Sequence, residues 1–273
     1  MALSEKVDLL GKGLYNGKIP DTITIKSIPT ASELDYVGAE DFDNVMLDKI
    51  LPQCIEEKFN TRLLLEIDYY WVLRCLRLLN YGPYVNTGAV FCDKCNQVSY
   101  GDYIGNLSTV DCIPLPDGFV NSIKISRDEF ISFNKDVTFK LPTIQDILNS
   151  RKDKSFQGSD GKTNTMFARI CYMITSIGNE PMDPIMVRST LQKNMESADF
   201  ILLEDKIHEL ENYGLRSSGK ITCPKCGNED ARFLAFVDEK LFRPTVAELR
   251  KWRDDRRARE NKNVSRNEKR SVR

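Results

Sequence analysis

Cys92-Asp93-Lys94-Cys95 and Cys223-Pro224-Lys225-Cys226 are the two stretches that decide how this chain folds. Each is a C-x-x-C turn that presents two thiolates to one side, and two such turns together supply the four ligands of a tetrahedral zinc site. If one Zn²⁺ takes all four sulfurs, residues 96–222 become a loop closed by metal and the segments flanking the knuckles must meet. Pro224 and Gly227 suit the tight bend of the second turn. Loss of one ligand, as in Cys223→Ser, is expected to release the metal and destabilise the whole chain. A redox-active C-x-x-C belongs at a helix start. Here both knuckles lie between strand-like stretches: Ala89-Val90-Phe91 enters the first and Gln97-Val98-Ser99-Tyr100 leaves it, while Lys220-Ile221-Thr222 enters the second and residues 232–237 leave it.

Outward from the knuckles, the chain reads as α+β: a zinc-ribbon-like β unit with N-terminal helices, a helical insertion and a basic C-terminal helix. Residues 1–83 form an N-terminal helical region, with one short strand at Thr22-Ile23-Thr24-Ile25. A helix is expected over 42–58, capped by Asp41 or Asp43, on the spacing of Val45, Leu47, Ile50, Leu51, Cys54 and Ile55. The stretch 60–80 is apolar on more than one face, which marks a buried central helix stopped by Gly82-Pro83. Residues 84–142 and 218–244 make the ribbon unit, with further strands at 121–125 and 137–140. The insertion spans 143–217: a helix capped by Thr143, a polar linker over 151–162, then helices near 163–177, 184–194 and 197–213, the last ending at Gly214. A basic helix follows over 245–260 and the final dozen residues are expected to fray.

Composition bounds the function. The chain has 273 residues, 41% apolar and 29% charged, enough for a globular core. No run of 18 apolar residues predicts a membrane span, and the opening Met-Ala-Leu-Ser-Glu-Lys carries no apolar leader. The net charge of −1 hides an asymmetry: residues 250–273 hold 11 Lys+Arg and 4 Asp+Glu, so +7, leaving −8 for the remainder. A basic tail on an acidic body points to an acidic partner surface or to nucleic acid. Arg250, Trp252, Arg253, Arg256 and Arg257 are the candidate partner-binding residues, and an acidic protein groove suits them better than DNA, which the acidic body would repel. The tyrosines between Tyr81 and Tyr103 are either a second partner surface or ordinary sheet packing.

Catalytic patterns are lacking. Neither G-x-x-x-x-G-K-[ST] nor G-x-G-x-x-G occurs. The single histidine, His208, falls on the polar face of its helix, which leaves no Ser-His-Asp or Cys-His arrangement. Asp41, Asp43, Asp48, Glu56 and Glu57 read as a solvated helix face. Cys54, Cys75 and Cys171 fall on apolar faces as core residues, while Cys112 is either core or a spare metal ligand.

The stretch Leu65-Glu66-Ile67-Asp68-Tyr69-Tyr70-Trp71-Val72-Leu73-Arg74-Cys75-Leu76-Arg77, followed by the first knuckle, then Val137-Thr138-Phe139-Lys140-Leu141-Pro142, then residues 221–236 with Phe242-Arg243-Pro244, resembles the baseplate hub and hub-assembly proteins of T4-like contractile-tailed bacteriophages. Ile67-Asp68-Tyr69-Tyr70 departs from that family's usual acidic-aromatic order, and the basic tail after 250 lies outside its pattern. The resemblance implies a structural or assembly role in the tail baseplate, with other phage tail and baseplate proteins as partners, no catalysis, and a location in the virion or in the host cytoplasm during assembly. The competing expectation is a zinc-ribbon nucleic-acid-binding protein, such as a viral transcription factor.

Overall fold

The computed structural model describes residues 3–36, 39–158, 162–234 and 241–271. The chain begins with an antiparallel pair, β1 (Ser4–Asp8) and β2 (Thr22–Lys26), in register with Val7 opposite Ile23. β2 is the strand expected from alternation; β1 has a weaker pattern and only its partner reveals it. After α1 (Thr30–Tyr36), three segments run on as one helix: α2 (Phe42–Val45), a π turn (Met46–Ile50) and α3 (Leu51–Cys54). Asp41 caps it, accepting from the Asn44 N–H at 3.2 Å. Pro52 explains the wide turn. It has no N–H to give Asp48, and a proline ring clashes with the carbonyl four residues back, so the preceding turn opens to a bond from the Leu51 N–H to the Met46 carbonyl. Ile55 is already extended and bridges Ile25, so this helix ends before residue 58.

The central helix is α4 (Glu66–Tyr81), later in its start than the apolar run suggests. Residues 61–63 form a 3₁₀ turn capped by Asn60, and Leu65 bridges Thr143 in extended conformation. α4 buries Tyr69, Val72, Leu73, Cys75 and Leu76 together with two charged residues, Asp68 and Arg77.

Next comes a long bent hairpin. Its strands are β3 (Tyr84–Asn86) and β4 (Ala89–Cys92) outward, and β5 (Gln97–Tyr100) and β6 (Ile104–Asn106) returning, with the first knuckle at the tip. β7 (Val110–Ile113) follows. β8 (Ile123–Ile125) and β9 (Val137–Phe139) then pair with each other. α5 (Ile144–Lys152) carries a reciprocal capping box between Thr143 and Asp146. The segment expected as a polar linker buries Phe156 in a 3₁₀ turn, edge-on to Phe167.

The helix expected over 163–177 stops at Met173. α6 (Thr165–Met173) passes into a strand, β10 (Ile174–Ile177), which turns through Gly178 into β11 (Glu180–Pro181). β10 pairs with β9, so the sheet β11-β10-β9-β8 joins strands expected beside the ribbon to a strand inside the presumed helical insertion. Two helices follow, α7 (Pro184–Asn194) and α8 (Ser197–Glu211). Gly214 takes the expected positive φ, but as the first residue of β12 (Gly214–Ile221), which forms the second hairpin with β13 (Ala231–Leu234). The expected continuation of that strand over 235–237 lies outside the described residues. Finally α9 (Val246–Ser271) runs helical through the stretch expected to fray.

The ribbon sheet has the order β5-β4-β13-β12-β7, antiparallel throughout. One continuous core extends from Val7 to Phe242, and a small separate cluster of Val90, Cys92, Cys223 and Ala231 sits under the knuckles.

Candidate metal centre

Pairing of β4 with β13, Phe91 opposite Arg232, sets the two hairpins side by side with their tips at one end. Each tip is a turn whose residue after the second cysteine has a left-handed backbone: Asn96 at φ 51° and Gly227 at φ 70°. Asparagine and glycine are the residues that adopt this region at least cost. The second knuckle is closed by two backbone bonds, Gly227 N–H to the Cys223 carbonyl at 2.9 Å and Cys223 N–H to the Asn228 carbonyl at 2.7 Å.

The four sulfurs converge. Cys92 Sγ lies 3.5 Å from Cys226 Sγ, Cys95 Sγ lies 3.9 Å from Cys223 Sγ, and all four are within 4.8 Å of one another. A zinc ion with 2.3 Å bonds sets tetrahedral sulfurs about 3.8 Å apart. These separations bracket that value and are far longer than any disulfide. Left to themselves, four sulfurs this close cannot all ionise. Hydrogen bonding from the Cys95 backbone N–H pulls Cys92 down to about 6, whereas desolvation, with its neighbours' help, pushes Cys95 up to about 12. A dication removes that conflict, because a coordinating thiol gives up its proton outright. The cluster therefore has ligand-compatible geometry for a structural metal ion, and its all-thiolate donor set fits zinc. Four protein ligands fill a tetrahedron, the pattern of structural sites.

The other cysteines stand apart. Cys112 on β7 pairs with Leu215 and is not in the four-sulfur group. Burial pushes Cys54 up to about 11 and Cys75 and Cys171 up to about 12, as fits packed core thiols. His208 is on the exposed side of α8. The carboxylates expected to be merely solvated are stitched to neighbours: Asp41 to Lys152 at 2.6 Å, Asp43 to Arg151 at 2.9 Å, Asp48 to Arg62 at 2.7 Å and Glu56 to Lys26 at 2.8 Å.

The five candidate partner-binding residues divide between two faces of α9. Trp252 turns inward, its indole lying where a Cβ on Gly82 would stand, at 2.5 Å. Arg250, Arg253, Arg256 and Arg257 are exposed, and Arg253, Arg256 and Arg257 share a cleft with Leu249 and Trp252. What holds α9 escaped the sequence reading. Glu248 is 3% exposed and Arg77 is 0% exposed, and they form an ion pair at 3.4 Å. Glu248 also accepts from the Asn86 N–H at 2.6 Å and closes a capping box with Thr245. Arg77 further donates to the carbonyls of Gly82 (2.8 Å) and Tyr84 (2.6 Å). Burial pulls Arg77 down to about 10, against the opposing pull of Glu248. The Thr245-Val246-Ala247-Glu248 spacing is a capping-box signal, legible in the sequence. Its link to Arg77 was not.

Of the tyrosines between Tyr81 and Tyr103, Tyr81 donates to Glu33, Tyr84 is buried and Tyr103 packs under the knuckles, while Tyr100 stands 79% exposed. Among the described residues no helix is long and apolar enough to cross a membrane. Compared with known proteins, the chain matches no family model, no curated protein and no solved structure.

Proposed function

We propose that this protein is a metal-stapled docking protein of a bacteriophage tail baseplate hub, either built into the virion or acting on tail proteins in the host cytoplasm, and that it works by protein–protein contact and not by catalysis. The observation that carries docking is the double role of α9. Its inner face is fixed by Glu248, Trp252 and Asp255, the last accepting from the Tyr84 hydroxyl. Its outer face presents Arg250, Arg253, Arg256 and Arg257. A helix already fixed in place spares the backbone ordering cost of binding, and arginine is enriched at interface hot spots. The ordered resemblance over roughly residues 20–245 is what supports the baseplate assignment.

The test is co-purification with tail proteins from a contractile phage. Wild type should give a complex, and Arg250→Glu with Arg253→Glu and Arg257→Glu should weaken it at least tenfold. A complex indifferent to that charge reversal removes α9 as the docking element. The cleft of Leu249, Trp252 and three arginines also suits nucleic acid. Phosphate contact would show as binding that falls steeply with salt; no shift at low salt disposes of that second reading.

A further inference from the structure

The outer edge of the ribbon sheet is a self-complementary strand. β5 ends the order β5-β4-β13-β12-β7, so among the described residues one side of it faces no strand. Its ladder phase is set by the bond from the Gly101 N–H to the Gly88 carbonyl at 3.1 Å. Hydrogen-bonded pairs alternate along an antiparallel ladder. Val90 with Ser99 and Cys92 with Gln97 are therefore bonded pairs, whereas Phe91 with Val98 and Ala89 with Tyr100 are not. The N–H and C=O groups of Val98 and Tyr100 consequently point away from β4. Among the described residues no backbone or side-chain group outside the ladder bonds to them.

Natural sheets blunt such an edge by keeping it short or with lysine, proline, a bulge or a covering segment, and of these, among the described residues, β5 has only its four-residue length. Gln97-Val98-Ser99-Tyr100 has no charge and no proline, and its pairing with β4 is unbroken. Its outward side chains are Val98, 43% exposed, and Tyr100, 79% exposed, beside Phe91 at 38%. A polyanion is a poor occupant, because four thiolates around one Zn²⁺ leave two negative charges beneath the knuckles.

We infer that β5 joins two copies of this chain, pairing antiparallel with its own equivalent about a two-fold axis at Ser99. That register sets Val98 of each copy opposite Tyr100 of the other. Both residues are in the bonding phase, so four N–H···O=C bonds form and no outward group of the strand is left over. The side chains make two valine–tyrosine cross-strand pairs on one face, a favourable combination of β-branched and aromatic residues. An uncharged strand meets no like charge at the dyad. A two-fold interface must be self-complementary in this way. The contact is smaller than a standard interface, so the dimer is weak, with Kd on the order of 10–100 µM.

The experiment is sedimentation velocity on the full-length, zinc-loaded protein between about 5 and 500 µM, a range chosen around that affinity. Wild type should pass from monomer to dimer. Val98→Lys adds an edge charge, and Tyr100→Pro removes an N–H that β4 does not use; each should stay monomeric while retaining one zinc per chain. Hydrogen exchange on wild type gives a reading that needs no variant: between the low and the high concentration the Val98 and Tyr100 amides should slow about three- to sevenfold, the change in monomer fraction that this affinity sets. A wild type that is monomeric at the top concentration overturns the inference. So does a dimer that persists in both zinc-loaded variants, or one that leaves those two amides unprotected. A strand supplied only by another protein would appear as the first of these results.

Discussion

Asp68 and Asp199 are both fully withdrawn from water, yet their protonation is driven in opposite directions. Desolvation raises Asp68 to about 6, partly offset by hydrogen bonds from the Tyr15 hydroxyl and the N–H groups of Leu10 and Gly11. Desolvation also pushes Asp199 up, but its donors outweigh it: the Ser132 hydroxyl and the N–H groups of Ile131, Ser132 and Phe133 hold its carboxyl below the usual range. Asp199 clamps the loop after residue 129 onto the start of α8. Neither role was legible, because both sets of donors lie more than fifty residues away from the carboxylate they serve. For Asp68 the sign of the linkage is definite. Between about pH 4 and 6 the folded chain holds a proton that the unfolded chain has released, so this group's contribution falls as pH rises through that window. The two-unit displacement corresponds to about 3 kcal/mol at most. In Asp68→Asn that slope should vanish. Urea unfolding of both proteins at pH 4.5 and 7 measures it, and a wild-type-minus-variant difference that is flat with pH would show Asp68 titrating at its ordinary value.

At the scale of elements, the sequence was most legible where a local signal had no competitor. Thr143-x-x-Asp146 starts α5 as expected, and the C-x-x-C turns sit at hairpin tips. It misled where one apolar pattern served two structures. Met173, Ile174 and Ile177 continue the helical spacing of α6, but Ile174-Thr175 is β-branched and Gly178-Asn179 is a hairpin turn, and pairing with β9 decided the matter. Likewise the run before α4 is apolar enough for helix, but Glu66 N–H bonds to the Pro142 carbonyl and fixes Leu65 as extended. The same long-range dependence governs α9. Gly82 ends α4 at φ 71° with the Trp252 indole against it. Gly82→Ala is therefore strained twice, by backbone and by contact, and should cost about 2–4 kcal/mol. Glu248→Gln keeps the shape but leaves Arg77 buried beside a neutral partner, a loss of about 3 kcal/mol. Both should speed hydrogen exchange over 246–256 while zinc stays at one per chain. If exchange there is unchanged in Glu248→Gln, the ion pair is not what holds α9.

For the whole molecule, the long-range closure was legible and its energetic reach was not. The spacing of four cysteines is enough to bring residues 92 and 226 together, because no other local pattern presents two thiolates per turn. The spacing led to the expectation that losing one ligand would destabilise the whole chain, but it gave no measure of what else joins the halves. The structure joins them three more ways: β4 pairs with β13, β7 pairs with β12, and one core runs from Val7 to Phe242 without including the knuckle cysteines. A cross-link closing a loop of some hundred residues contributes about 5 kcal/mol when nothing else closes it, and here other contacts already do. Cys223→Ser, or removal of metal by a chelator, should therefore lower stability by about 2–5 kcal/mol, well below the roughly 10 kcal/mol or more seen in small zinc peptides. Bound zinc should fall from one per chain to none. Exchange should accelerate first over 89–100 and 218–234, with the amides of α4 staying protected. Simultaneous loss of protection in α4 and at the knuckles would mean that the metal holds the core as well as the tips, and retention of a full equivalent of zinc by Cys223→Ser would mean that Cys223 is not a ligand.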